Sequence, residues 1–332
     1  MKNKRLVQGS RRSCKFDYIE SSLFFSLVDY RNTYFTSEDP KKIIEFYNSI
    51  KNTDELIRWM KERPKGFCKI HEIDGGKDII VVIPTADFNG KYAKNCRENV
   101  FKGLHIVFVE SAEIPDQYFN GAHNVNIGIK KALEYNPKWI VFCSEDVLKI
   151  DSIDILNHQL SDLDNKEYDV VFTKPSNYHS SYEKISYGNL LFYAYYRLTT
   201  NPYRRTSMKL FKKFEIKYLL SPISGKFSKL FKKGYQFVEI QDFGIYSSKW
   251  ISKVDGEVYD ETFINSGEDT DLSLRFSFNK DRMAIIDYRI GDAPPGIFLG
   301  NGPQRGLREI AGIAYLNYKW RSILDREKRD RK

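Results

Sequence analysis

"DIIVVIP", residues 78–84, is an unbroken apolar run, rich in β-branched residues and closed by a proline. A strand wet on one side alternates apolar and polar residues. A run that is apolar at nearly every position reads as a strand covered on both faces, the usual condition of a parallel sheet. The residues after it keep the pattern. "NGKYAKNCRENVFKG" (89–103) reads as a helix, "HIVFVE" (105–110) as a second buried strand and "NVNIGIKKALEY" (124–135) as a helix. "KWIVFCSED" (138–146) is a third strand ending in acids, "SIDILNHQLSDL" (152–163) a helix and "YDVVFTK" (168–174) a fourth strand. Strands and helices alternating at this spacing predict βαβ units and an α/β fold with a mixed, mainly parallel central sheet and flanking helices. Such sheets bind ligands beyond the carboxyl ends of their strands. Thr85, Asp87, Glu110, Ser144, Glu145 and Asp146 therefore become the residues of interest.

Working outward, residues 1–76 read as a helical extension. Asp39 before Pro40 is an N-cap followed by a proline at the first helical position, opening "PKKIIEFYNSI". Asn52 with Glu55 forms a capping-box pattern before "ELIRWMKE". Beyond the strand–helix region, residues 180–235 mix Tyr, Phe, Leu and Lys/Arg with few acids. Regular patterning returns at "YQFVEIQ" (235–241) and "RMAIIDYRI" (282–290), before a Gly/Pro-rich loop at 291–306. The chain closes with a helix at 307–324 and a charged tail to 332. The resulting division is an extension at 1–76, a catalytic unit at 77–306, and a C-terminal helix and tail at 307–332. The unit splits into a donor half at 77–175, a basic and aromatic insertion at 180–235, and an acceptor half at 236–306.

The 332 residues and 41% hydrophobic content suffice for a large core, and the net charge of +9 favours phosphate-bearing, membrane or nucleic-acid partners. Cys14, Cys68, Cys96 and Cys143 are scattered, with no C-x-x-C pair, which points to reduced thiols and a cytoplasmic setting. No run of about 18 apolar residues predicts a spanning helix.

Two acid clusters carry the chemistry. "CSED" (143–146) ends a buried strand in two carboxylates. A buried acid is costly unless it is hydrogen-bonded, exposed or holding a cation. Carboxylates beside phosphate oxygens are a common way to hold Mg²⁺ or Mn²⁺, and a polar strand end before a turn is the plainer reading. The second cluster is "INSGEDTDLSLRF" (264–276), with Glu268, Asp269 and Asp271 at a helix start. First-turn acids complement the helix dipole. On a helical wheel Asp269 shares a face with Leu272 and Phe276, while Asp271 and Arg275 can pair at i, i+4. An inward-facing Asp269 is a candidate general base.

"DIIVVIPT", "HIVFVES" and "NVNIGIKKALEYNPKWIVFCSEDV", with "GIYSSKWISKVDGEVYDETFINSGEDTDLSLRF" and "YLNYKW" (315–320) later in the chain, resemble GT-A-fold glycosyltransferases, especially family 2. The likeness covers roughly 78–165 and 238–290. It implies a GT-A (Rossmann-like) fold and a nucleotide-sugar donor. Pro84, Thr85, Asp87, Glu110, His123, Asn124, Asn126, Ser144 and Glu145 would lie along that donor, and Glu145 and Asp146 would hold a divalent metal. Asp269 would be the base of an inverting transfer, with Glu268 orienting it or touching the acceptor. The pattern departs from the family where Ser144 replaces a common Asp, where Glu110 replaces an Asp, and where no His comes after Asp269. Asp292 would substitute as that ligand, or Arg289 would offset the diphosphate charge without a metal.

Two other functions remain open. One is a sugar-phosphate nucleotidyltransferase, although no Gly-rich basic phosphate loop comes after the first strand. The other is a non-catalytic basic protein binding nucleic acid or membrane on a degenerate transferase core. The 203–234 stretch reads as a solvated basic surface or as a peripheral membrane contact at the inner membrane face. Nucleic acid is the least supported partner, since no nucleic-acid-binding motif appears. The acceptor could be a glycan, a lipid-linked sugar or a protein. His123 reads equally as a phosphate contact or a structural histidine. Trp139, Trp250 and Trp320 read as core residues.

Overall fold

The 78–84 run lies in strand β2, Gly76–Thr85, at the centre of the sheet. A computed structural model describes residues 30–111, 117–164, 166–173, 182–187, 203–218, 220–222, 236–240, 243–264, 266–292 and 303–330. Both faces of β2 are covered, as its composition requires. Ile79, Val81 and Ile83 enter one hydrophobic layer, and Ile80 and Val82 enter the layer on the other side. β3 (Leu104–Ser111) and β4 (Trp139–Cys143) alternate in the same way, with Ile106, Phe108, Val141 and Cys143 on the first side and Val107, Val109, Ile140 and Phe142 on the second.

The sheet has seven strands in the order β1-β3-β2-β4-β10-β6-β11, where β1 is Cys68–Ile73, β6 Val170–Thr173, β10 Phe243–Ser247 and β11 Met283–Ile286. β2 pairs in parallel with β3 and with β4, and β6 pairs in parallel with β11. β1 runs antiparallel to β3, and β10 runs antiparallel to both β4 and β6. The fold is α/β with a mixed sheet, as expected, but the sheet is not mainly parallel, since three of its six strand pairings are antiparallel. The reversed strand β10 returns from late in the chain and wedges between two strands that the local pattern makes neighbours. The extension also departs from the expectation of an all-helical segment, because β1 forms the sheet edge.

Helix α3 (Lys91–Asn95), continued by a π-helical turn at Cys96–Val100, and helix α5 (Ile153–Ser161) cover one face. Helices α4 (Gly121–Leu133), α7 (Ser248–Lys253) and α8 (Glu268–Asn279) cover the other. Gly128 lets α4 sit directly on the strands, since a Cβ there would meet Val82 Cγ1 at 2.4 Å and Val109 Cγ2 at 2.8 Å. Two small sheets lie outside. β5 (Val147–Lys149) pairs with β12 (Ile290–Asp292), and β7 (Tyr182–Tyr187) lies between β8 (Leu220–Pro222) and β9 (Gln236–Ile240). β9 runs beside α8.

A third core joins the two ends of the chain. Helices α1 (Pro40–Ser49), α2 (Thr53–Glu62), α6 (Arg204–Lys213) and α9 (Pro303–Asp330) bury Phe46, Tyr47, Trp59, Phe214 and Ala314 together. Asp39 caps α1 through Lys41 N–H at 2.9 Å, with Pro40 opening the helix, and Asn52 caps α2 through Glu55 N–H at 3.0 Å. The Tyr47 hydroxyl donates to Leu307 O at 2.7 Å and accepts from Ala311 N–H at 3.1 Å, bolting α1 to α9. Leu210, Phe211 and Phe214, the apolar residues of the basic stretch that most resembled a membrane face, point into this core. Arg205, Lys209 and Lys212 remain exposed. The rest of that stretch at 223–234, most of the 291–306 loop, and residues 1–29 lie outside the described residues. No described helix is long and apolar enough to cross a membrane.

Candidate active site at the carboxyl ends of the strands

Strands β2, β3 and β4 run in parallel, so their carboxyl ends open on one edge of the sheet. Thr85 ends β2 and is buried, and its hydroxyl donates to Glu145, just past β4, in a very short hydrogen bond. The same Thr85 oxygen accepts Asp87 N–H at 3.2 Å, and Asp87 turns its carboxylate to Asn89 N–H at 2.9 Å. Pro84 and Ser144 flank this meeting point and are half-buried. Burial pushes the Glu145 carboxyl above its usual range. The negative charges of Asp146 and Asp87 push the same way, while the Thr85 hydroxyl and Ala86 N–H oppose them. Three acids thus crowd one strand edge, the arrangement expected where a cation or a donor-rich ligand is to be received. Beneath them, the thiol of Cys96 donates to Glu145 O at 3.3 Å and that of Cys143 to Ser144 O at 3.1 Å. Among the described residues, Cys68, Cys96 and Cys143 form no disulfide.

Glu110, one residue before the end of β3, is held from two sides. Phe88 N–H donates to Oε1 at 2.9 Å and the His71 ring to Oε2 at 2.9 Å. The amide and the imidazole both favour the carboxylate over its burial, and its pKa is lowered. The His71 ring stacks on Phe88 with centroids 4.2 Å apart, and the Arg97 guanidinium lies 4.9 Å from the Phe88 centroid. No sequence motif marks His71, Phe88 or Arg97. His71 comes from β1, whose pairing with β3 is a long-range event that no local pattern announces.

Helix α4 carries three further expected donor residues, and here the structure assigns different tasks. Asn126 is fully buried, and its amide donates to Tyr259 O at 2.8 Å while accepting Tyr259 N–H at 3.1 Å. It also donates to Glu261 at 3.1 Å. Asn124 is buried and accepts from the Cys68 thiol at 3.1 Å. His123 reaches Glu261 Oε2 at 2.8 Å. His123 and Asn126 staple α4 to the 258–263 segment, and Asn124 meets β1.

The acid cluster at the start of α8 also divides differently from its helical wheel. Gly267 precedes the helix at φ +92°, which favours glycine. Glu268 and Asp269 are half-buried in the first turn. The negative charge of Asp269 helps raise the pKa of Tyr246, which burial raises most. Leu272 and Phe276 enter the sheet-side core as expected. The acid buried completely is Asp271, not Asp269. The expected Asp271–Arg275 pair forms at 3.3 Å, and α9 adds Lys319 at 2.9 Å and Trp320 Nε1 at 2.8 Å. Lys319 also reaches Asp260 at 2.7 Å, and the Tyr315 hydroxyl donates to Asp260 at 2.8 Å. Against its burial, these partners and Thr262 N–H hold the Asp260 carboxyl down at about 2. The "YLNYKW" motif of the terminal helix is therefore a bolt to Asp260 and Asp271. Trp139, Trp250 and Trp320 are buried, as read from the sequence.

Among the described residues, no three His, Cys, Asp or Glu side chains assemble into a metal cage. Mg²⁺ needs none, because one or two carboxylates plus substrate phosphate oxygens suffice. An oxygen-only set at Glu145 and Asp146 fits that chemistry, with Thr85 occupying one Glu145 oxygen. The β5–β12 pairing sets Asp292 opposite Val147, the neighbour of Asp146. Arg289 is committed elsewhere, donating to Asp151 through its guanidinium at 2.8 Å and through its backbone N–H at 2.8 Å. The chain matches no protein-family model, and no curated protein aligns with it.

Proposed function

We propose that this chain is a nucleotide-sugar-dependent glycosyltransferase of the inverting kind, built on a GT-A, Rossmann-like nucleotide-binding core. The observation that carries the reading is the meeting of Thr85, Asp87, Glu145 and Asp146 past the ends of β2 and β4, with Glu110 one residue before the end of the next strand. The parallel trio β3-β2-β4 is the part of the sheet that supports a nucleotide-binding core. In this reading Glu110 accepts an N–H of the nucleobase, held in place by His71 and Phe88. Asp146 and Glu145 would hold a divalent cation, which would supply positive charge to the leaving diphosphate. Asp269 accepts the proton of the acceptor hydroxyl as that oxygen bonds to the anomeric carbon and the bond to diphosphate breaks. A single base opposite the leaving group inverts the anomeric centre, by the logic of inverting hydrolases.

The test is a thermal-shift panel of nucleoside diphosphates and sugar nucleotides with and without Mn²⁺, then transfer assays on the parent and Asp269→Asn. The expected result is stabilisation by one class of sugar nucleotide, with transfer nearly abolished in the variant and donor affinity retained. Near-normal turnover by Asp269→Asn removes it as the base. Release of pyrophosphate rather than nucleoside diphosphate makes the chain a nucleotidyltransferase.

A further inference from the structure

A second cleft, of about 460 Å³, lies between the 257–262 segment, the end of α2, α8 and α9. None of its lining residues comes from α4 or from the strand ends. Its charges are unevenly committed. Asp260 is spent on Lys319 and Tyr315, and Glu261 on His123 and Asn126. That leaves Glu257 as the lining acid without such a partner among the described residues. Facing it are Lys61, Lys65 and Arg275.

Lys65 is the informative group. Its side chain is half-buried, and among the described residues it makes no direct ion pair and donates only to Glu261 O, at 2.8 Å. An ammonium has three protons to donate, and a partly desolvated cation with unfilled donor positions is costly. Burial, reinforced by the charge of Arg63, pushes Lys65 below the usual lysine range, against the opposing pull of the Glu261 and Asp260 carboxylates. Arg275 spends one arm on Val258 O and turns Nε to Asp271. Lys61, exposed at the rim, has no ion pair among the described residues.

We infer that this cleft is a binding site for an anionic group, a phosphate or a carboxylate, received by Lys65 with Lys61 and Arg275. The inference is independent of the transferase reading, because the cleft shares no side chain with the strand-end acids. A bound anion would fill the open donor positions of Lys65 and give it a direct ion pair. Lys65 can be removed without orphaning its acceptor, since Glu261 O also accepts from Asn120 Nδ2 at 2.9 Å.

The test is thermal unfolding of the full chain titrated with inorganic phosphate and, separately, with citrate, at ionic strength held constant with NaCl. The variants are Lys65→Met, Lys61→Met and Asp146→Asn. Phosphate or citrate should raise the melting temperature of the parent and of Asp146→Asn, and the anion that does so assigns the ligand chemistry. Lys65→Met should melt at or above the parent temperature without ligand and lose the response. Lys61→Met should weaken the apparent affinity by about tenfold, the loss of one charge-assisted contact. If Lys65→Met does not fold, the rim variant decides. No shift beyond the chloride control, or an undiminished shift in both lysine variants, overturns the proposal. Loss of the response in Asp146→Asn alone also overturns it, by moving the anion to the strand ends. A nucleotide response that survives Asp146→Asn counts against the transferase reading instead and leaves the cleft standing.

Discussion

Replacing Lys319 by Met is the sharpest test of how α8 and the 257–262 segment are held to the terminal helix. Asp271 is fully buried, and Lys319 is the only lysine among its described partners, 2.9 Å away. Removing one member of a buried pair typically costs 3–5 kcal/mol, because the remaining charge stays desolvated. Two features place this case at the low end. Asp271 keeps Trp320 Nε1 at 2.8 Å and Arg275 at 3.3 Å, and the Lys319 side chain is itself 28% exposed. These features soften the Asp271 part of the loss, while the Lys319–Asp260 pair at 2.7 Å is lost with it, and the expected total is about 3 kcal/mol, read as a lower urea midpoint with an unchanged slope. The double variant Asp271→Asn, Lys319→Met should recover part of it, because a neutral amide no longer needs the ammonium. A loss below about 1 kcal/mol, the value for an exposed pair, or an equal loss in the Asp271→Asn background, would refute the reasoning.

The same geometry sets other outcomes. Asp260 titrates at about 2 in the fold against the usual 3.8, so the folded state binds its proton less tightly than the unfolded chain. Its contribution, about 2 kcal/mol, is full above the unfolded value and is lost as pH falls through the folded one. Urea unfolding between pH 5 and pH 2, on the scale of that loss, should show the decline in the parent and a smaller one in Asp260→Asn. Gly128→Ala should destabilise by about 1–3 kcal/mol despite alanine's better helix propensity, since its Cβ overlaps Val82 and Val109; a gain in the urea midpoint would contradict the close approach. If the proposed transferase function holds, His71→Ala should raise the KM for the nucleotide donor more than it lowers kcat, because it loosens Glu110 and not the reacting atoms. Equal losses in both would sever His71 from donor recognition.

The strand-forming runs at 78–84, 105–110 and 138–146 settled themselves. Their residues are apolar at successive positions, and only burial on both faces satisfies them. The caps at Asp39 and Asn52 were equally readable, since each depends on a bond two or three residues away. The crowding of acids after β4 was visible as composition, but the hold of Thr85 on Glu145 joins residues 60 positions apart. The reversed strand β10 was beyond reach for the same reason. Its sequence, FGIYS, fits several sheet positions, and only competition among whole strands for neighbours selects one. The wheel misjudged α8 because it assumed one buried side. The helix has two, with Leu272 and Phe276 against the sheet and Leu274 in the terminal helical core, and α9 closes over Asp271. Local periodicity determines which residues must leave water. Which partner a buried charge finds is decided when distant segments pack, because a desolvated carboxylate is tolerated only where the tertiary structure delivers a donor to it.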